Sequence, residues 1–273
     1  MADRKQTEIW VYVDLRSERL FGYCLNVLKK ARDLAWTVSG KAAAVLVDSS
    51  VHDGTEGLSG TQACMAADEA ASRCIAHGAD LVYVLHHEDL AAIRADTYAP
   101  ALAGAVGTHG PMLLLFAMTD FGRELAARAA RICNVGLIAD GADFKIENNQ
   151  VVATCASWGG EIMIQNTFSE DQSTGFATVQ PHAFKATQVQ GDPGTVERIP
   201  VDHIQEPKGL KLLSSSPQPA EHRKLEEADV VVVGGAGLGN IEGFALVREL
   251  AAALGGEVGA TRPPVLQLSL IHI

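Results

Sequence analysis

Apolar residues fall along this chain in short unbroken runs, separated by stretches where they return every three or four positions. Runs at 9–13, 42–47, 81–85 and 112–117 predict strands of a sheet covered on both faces. Between them, helical spacing predicts helices over 20–36, 62–77, 98–105 and 120–133, the second closed by Gly78. Such alternation is the pattern of a parallel α/β sheet with crossover helices. Past residue 133 the period changes. Runs at 144–147, 150–157 and 162–167, the first two joined by Asn148-Asn149, predict a small antiparallel region.

From about residue 188 to 223 the helical period is lost, and Ser214-Ser215-Ser216-Pro217-Gln218-Pro219 has the composition of a linker. A second α/β pattern follows: a buried strand at 228–233, a glycine-rich turn at 234–239, a helix at 244–254 and a strand at 257–260. The predicted organisation is an N-terminal domain over 1–212, a linker over 213–224 and the start of a second α/β domain over 225–265. The last residues, Leu268-Ser269-Leu270-Ile271-His272-Ile273, read as an in-frame translation of CTGTCTCTTATACACATC, a transposon end used in sequencing libraries. Residues 266–273 are therefore expected to be an adaptor-derived tail, and the natural chain to continue.

With 47% hydrophobic and 20% charged residues, the 273-residue chain has ample material for a core. A formal net charge of -11 and a pI near 5.2 oppose phosphate backbones and anionic membranes, so nucleic acid is not an expected partner. Five cysteines without a Cys-x-x-Cys pair suit a reducing compartment, and the cytoplasm is the expected location. Residues 1–8 are polar and no apolar run reaches membrane-spanning length, so no leader or membrane anchor is expected.

The chemistry-bearing residues gather late in the chain. Gly234-Gly235-Ala236-Gly237-Leu238-Gly239 lies between a strand and a helix, where glycines admit a pyrophosphate and a helix amino end offers amides to it. A strict Gly-x-Gly-x-x-Gly starting at Gly235 would need glycine where Asn240 stands, so nucleotide contact and a purely structural turn both stand. Thr261-Arg262 follows the next strand at the edge that faces the ligand crevice of a doubly wound sheet; a solvated arginine is the alternative. Within the N-terminal pattern, Glu124 and Arg128 read as an exposed i,i+4 pair, with Leu125 and the alanines turned to the sheet. His86-His87 with His109 lacks metal-ligand spacing, and no metal is expected. No nucleophile elbow, phosphate loop or catalytic cysteine signature occurs.

Taken together, several segments resemble the alpha subunit of the electron transfer flavoprotein (FixB) family, collinearly over nearly all of residues 8–265. They are Ile9-Trp10-Val11-Tyr12-Val13, Thr119-Asp120-Phe121-Gly122-Arg123-Glu124-Leu125-Ala126-Ala127-Arg128, Gly136-Leu137-Ile138-Ala139-Asp140, Gly159-Gly160-Glu161-Ile162-Met163, Ala177-Thr178-Val179-Gln180-Pro181-His182-Ala183-Phe184, and the stretch from Ala228-Asp229 to Gly259-Ala260-Thr261-Arg262. The resemblance implies a Rossmann-like, adenine-nucleotide-hydrolase-like N-terminal domain that packs with a beta subunit, AMP being possible in that partner, and a C-terminal domain that holds FAD. It further implies that Arg262 lies near the flavin ring, where its charge favours the reduced anionic flavin, that Thr261 supplies a hydroxyl where serine is usual, and that Gly234, Gly235, Gly237 and Leu238 form the family's glycine loop. Ala236 stands where that loop commonly has arginine. The family's later flavin-contact segments are not in the sequence, so the chain as written is expected to bind FAD weakly or not at all.

The implied activity is electron relay between a flavin dehydrogenase, by family default an acyl-CoA dehydrogenase of fatty acid β-oxidation, and a downstream acceptor, with the protein acting as a carrier and not a classical enzyme. Two alternatives remain: a nicotinamide-dependent oxidoreductase using the Gly234 loop, and an adenine-nucleotide-binding or scaffold protein built on the N-terminal domain.

Overall fold

A computed structural model describes residues 7–48, 65–189, 194–202, 204, 225 and 228–267. The chain divides into two compact units, Met1–Ser216 and Pro217–Ile273. In the first, strands β1 (Glu8–Tyr12), β2 (Lys41–Asp48), β3 (Leu81–His86) and β4 (Leu113–Ala117) alternate with helices α1 (Glu18–Thr37), α2 (Ala67–Ala76), α3 (Ala95–His109) and α4 (Asp120–Cys133). Strands β5 (Leu137–Glu147), β6 (Gln150–Ser157), β7 (Ile162–Thr167), β8 (Gly175–Val179) and β9 (Thr195–Pro200) complete one sheet, in the order β7-β6-β5-β8-β4-β1-β2-β3-β9.

From β5 to β9 across that order the pairings are parallel; β6 and β7 add on as antiparallel strands. The α/β class and the antiparallel region are as the sequence predicted. Residues of β1 alternate between two buried layers: Ile9 and Val11 join Leu28, Cys24 and Ala177 on one face, while Trp10 and Tyr12 join Tyr83, Phe116 and Phe176 on the other. Both faces of the central strands are therefore dry, and the unbroken apolar runs follow from that.

Two readings change, one is extended and two strands are new. The run at 144–147 is only the end of an eleven-residue strand whose first part pairs with β8 and whose second part pairs with β6, with a register shift between Ile138 and Gly141. β8, central and buried throughout, hides behind Gly175 and Thr178, and β9 behind the charges of an exposed edge. The helix expected over 62–77 starts at Ala67, residues 62–64 lying outside those described. Residues 98–105, read as part of a helix, lie within α3, which runs from Ala95 to His109 with Pro100 inside it.

At the β5–β6 turn, Asn148 and Asn149 have φ of 52° and 62°, the left-handed pair that a two-residue hairpin needs. Asn149→Gly is expected to stabilise the chain by about 0.5 kcal/mol and Asn149→Val to destabilise it by about 1–2 kcal/mol, read from urea denaturation midpoints.

The second unit holds β10 (Val231–Gly234), α5 (Phe244–Leu254), β11 (Glu257–Ala260) and α6 (Arg262–Gln267), with β10 and β11 parallel. Phe244 and Val247 of α5 are buried against Val232, Leu238, Val258 and Ala260. The strand predicted as buried is covered on one face alone: Val233 is 56% exposed, and Val231 is exposed with it. A single helix covers a single face of two strands. The expected linker 213–224 lies outside the described residues, as does the expected tail from 268 onward; Leu266 and Gln267 finish α6.

Candidate functional site

Two crevices at strand carboxyl ends are the places to look, since an open α/β sheet binds ligands there. In the first unit the strand order reverses between β1 and β4. That point is filled by the chain itself. Asp14, directly after β1, takes the Arg16 guanidinium through Nε at 3.0 and 3.1 Å and Nη2 at 2.7 Å. The Arg16 guanidinium in turn lies 4.4 Å over the Phe121 ring, which meets Tyr12 and Tyr98. Burial works against the Arg16 charge, yet the hydrogen bonds and charge of Asp14 outweigh it and raise its pKa. The cavity left beside Tyr12, Asp14, Arg16 and Tyr98 is about 10 Å³, room for about one water and far too small for a nucleotide.

Elsewhere in this unit the surface readings hold. Arg128 pairs with Glu124 at 2.8 Å while Leu125, Ala126 and Ala129 are buried. His86 is exposed at the end of β3, and His87 pairs with Asp89 at 3.0 Å. Among the described residues no group of His, Cys, Asp or Glu is arranged to hold a metal. Burial pushes the Cys24 thiol far up and that of Cys74 up to about 12, so neither forms a thiolate near neutral pH.

The predicted site residues come together in the second unit. β10 ends at Gly234, β11 ends at Ala260, and because the strands are parallel both exits lie on one edge. Thr261 N–H donates to Gly234 O at 3.0 Å, which sets the loop after β10 beside Thr261 and Arg262. Both of these are exposed.

The loop's glycines divide by cause. A Cβ on Gly234 would lie 2.6 Å from the Phe244 ring and 2.8 Å from Leu238, so packing requires that glycine. Gly239 has a φ of 75°. Gly235 and Gly237 have neither reason: a Cβ on Gly235 would meet only Thr261 Oγ1 at 3.9 Å, one on Gly237 would meet nothing, and neither φ is positive. Space kept open for no internal purpose suits a flat group such as a flavin lying against the backbone. Leu238 turns inward onto Phe244 and acts as the loop's hinge to α5.

One expectation is corrected. The amino end of α5 does not offer open amides, because Asn240 Oδ1 accepts from Gly243 N at 2.9 Å, and Phe244 N and Ala245 N donate to Ile241 O and Glu242 O. Asn240, read as a missing glycine, closes the turn that leads into α5, whose N-cap position is Gly243 and carries no side-chain cap. The Asn-x-x-Gly spacing ahead of an apolar helix is the signal that identifies this turn.

Residues 9–204 match the family model described as electron transfer flavoprotein domain, and residues 224–272 that described as electron transfer flavoprotein FAD-binding domain. The chain is 31% identical over 260 residues to the electron transfer flavoprotein subunit alpha of Thermoanaerobacterium thermosaccharolyticum, covering 94% of this chain and 74% of that one. It is 33% identical over 260 residues to Protein FixB of Bradyrhizobium diazoefficiens, covering 94% and 67%. Electron transfer flavoprotein subunit alpha of Megasphaera elsdenii is 28% identical over 268 residues, covering 94% and 72%.

Proposed function

We propose, for a chain that belongs to the electron transfer flavoprotein alpha-subunit family, the role of the FAD-holding subunit of a two-chain electron carrier. The observation that carries this is the pair of unfilled glycine positions, Gly235 and Gly237, beside Thr261 and Arg262 in the segment matching the FAD-binding domain. FAD, when bound, supplies the one- and two-electron chemistry. The chain's own residues would hold it: Gly235 and Gly237 leave room for the ring, the Thr261 hydroxyl would donate to it, and the Arg262 cation would stabilise negative charge and so raise the potential. Gly234, Leu238 and Asn240 hold the loop against α5. With alanine at 236, Arg262 is the guanidinium at this edge of the site.

The second chain of the carrier is the family's beta subunit, in which AMP is a possible ligand. The electron donor is a flavin dehydrogenase, an acyl-CoA dehydrogenase of fatty acid β-oxidation being one candidate, and the acceptor lies downstream. Among the described residues no helix is long and apolar enough to cross a membrane, and a cytoplasmic location is part of the proposal.

Quenching of flavin fluorescence tests the site, with FAD titrated into the full-length subunit that carries the family's later flavin-contact segments, co-purified with its beta subunit. Gly237→Val and Gly235→Val are expected to keep the parent circular dichroism spectrum and lose at least about tenfold in FAD affinity, because the side chains enter the space left for the ring. Gly234→Ala is expected to disturb the unit itself through Phe244. Unchanged FAD affinity in both valine variants would remove the loop from the site. A titration with NAD(H) in place of FAD checks the nicotinamide alternative.

A further inference from the structure

We propose that Pro263 and Pro264 are positioning residues of the flavin site: they take out of the first turn of α6 the amides that a threonine cap would engage, and so leave the Thr261 hydroxyl to the ligand. The proposal rests on the flavin reading above.

Thr261 stands directly before α6, whose first residues are Arg262, Pro263 and Pro264. A threonine in that place ordinarily caps the helix, its hydroxyl accepting from the amide two or three residues on. Elsewhere this chain caps in that way. Ser17 Oγ accepts from Leu20 N at 3.2 Å ahead of α1, and Thr119 Oγ1 accepts from Gly122 N at 2.9 Å ahead of α4, in both cases three residues on. The same spacing from Thr261 arrives at Pro264, and the position two residues on is Pro263. Proline has no N–H, so neither can donate to the cap. Starting a helix does not call for this arrangement, since the place where proline helps is the first helical position, and here that position is Arg262.

The hydroxyl that capping does not claim borders the site. Thr261 Oγ1 lies 3.9 Å from where a Cβ on Gly235 would stand, at the margin of the space that Gly235 keeps open. Among the described residues neither this hydroxyl nor the Arg262 guanidinium has a hydrogen-bond or ion-pair partner, and both residues are exposed. The two residues after Arg262 have φ locked by their rings, and Pro264 is buried, so the backbone that carries Thr261 and Arg262 is fixed while their side chains stay available. The prolines also remove two of the amides with which a helix amino end attracts a phosphate. What remains is a hydroxyl donor and a cation beside open backbone, a set matched to a ring that accepts a hydrogen bond at its edge and gains negative charge on reduction.

The test uses the full-length subunit co-purified with its beta subunit. It compares the parent with Pro264→Ala, Pro263→Ala and Thr261→Val, and with each proline change made in Thr261→Val. Pro264→Ala returns a donor at the spacing used by Ser17 and Thr119; Pro263→Ala returns the other, and decides the matter if the buried Pro264 ring proves necessary for folding, because the Pro263 ring is exposed. Each is expected to lower FAD affinity about fivefold, the worth of one hydrogen bond. The flavin midpoint potential should fall with it, because the hydroxyl serves the reduced, anionic ring most. Thr261→Val should lose as much, and the proline changes made in it should alter FAD affinity by less than about twofold, their route of action being gone. Without flavin, the amide introduced at 263 or 264 should exchange with solvent more slowly beside Thr261 than beside valine. A proline effect of equal size with and without the Thr261 hydroxyl would make the prolines a matter of helix structure and overturn the proposal. Parent-like FAD affinity in both single proline variants would overturn it as well, and the flavin reading stands in either case. A folded parent that binds no FAD overturns that reading and the proposal together.

Discussion

Gly122→Ala is expected to lower the unfolding free energy of the N-terminal unit by about 3 kcal/mol or more, although helix propensity alone favours alanine by about 1 kcal/mol. The sign is set by space. A Cβ at this position would lie 2.2 Å from Ala117 O and 3.0 Å from Thr119 Oγ1. Both are fixed: Ala117 ends β4 in the middle of the sheet, and Thr119 caps α4 by accepting from Gly122 N at 2.9 Å. Relief requires α4 to lift from the sheet, pulling Leu125, Ala126 and Ala129 out of the core. Urea denaturation followed by circular dichroism reads the loss. An unfolding midpoint at or above the parent's would show that α4 moves without penalty.

The second large effect concerns the filled crevice. Asp14→Ala is expected to cost about 3 kcal/mol, because it leaves the Arg16 guanidinium against Phe121 without its counter-charge. The side chains of Asp14 and Arg16 are 4% and 24% exposed, so solvent screens the pair little. Arg16→Ala strands the carboxylate instead, and the double variant should lose less than the sum of the two by about 1.5 kcal/mol or more. Additive losses in that cycle would mean that Asp14 and Arg16 act on stability separately.

Much of the first unit was legible because its strands are buried on both faces, where hydrophobic runs and structure coincide. The bounds read for β4 and α4 lie within a residue of those found, and so do those of β6 and the exposed edge strand β7, which show instead through their short runs about the Asn148-Asn149 turn. β8 was not legible: Thr178 in its centre reads as polar, and only the fold reveals its hydroxyl bonded to Asp140. β9 was hidden by Glu197 and Arg198, which suit an edge and mimic a loop.

In the second unit the sequence placed Gly234, Gly235, Gly237, Thr261 and Arg262 correctly on one edge, since parallel strands exit together. It could not separate glycines that packing demands from glycines that leave space, because that difference lies in where Phe244 and Leu238 point. The Asp14, Arg16 and Phe121 plug was equally invisible, Phe121 lying more than a hundred positions from the other two.

The place of β8 between β4 and β5 has a consequence for how the protein is made. A chain leaving the ribosome can close β1, β2, β3 and β4 into a four-stranded sheet once residue 117 is out. The β5–β6–β7 ribbon then emerges complete and locally paired, yet it has no strand to dock on until residues 175–179 arrive and slot into the gap. The edge of β4 stays open for the synthesis of about sixty residues, and for the last dozen or so the growing polypeptide is two separate pieces with unpaired strands facing each other, the window in which a chaperone would find it.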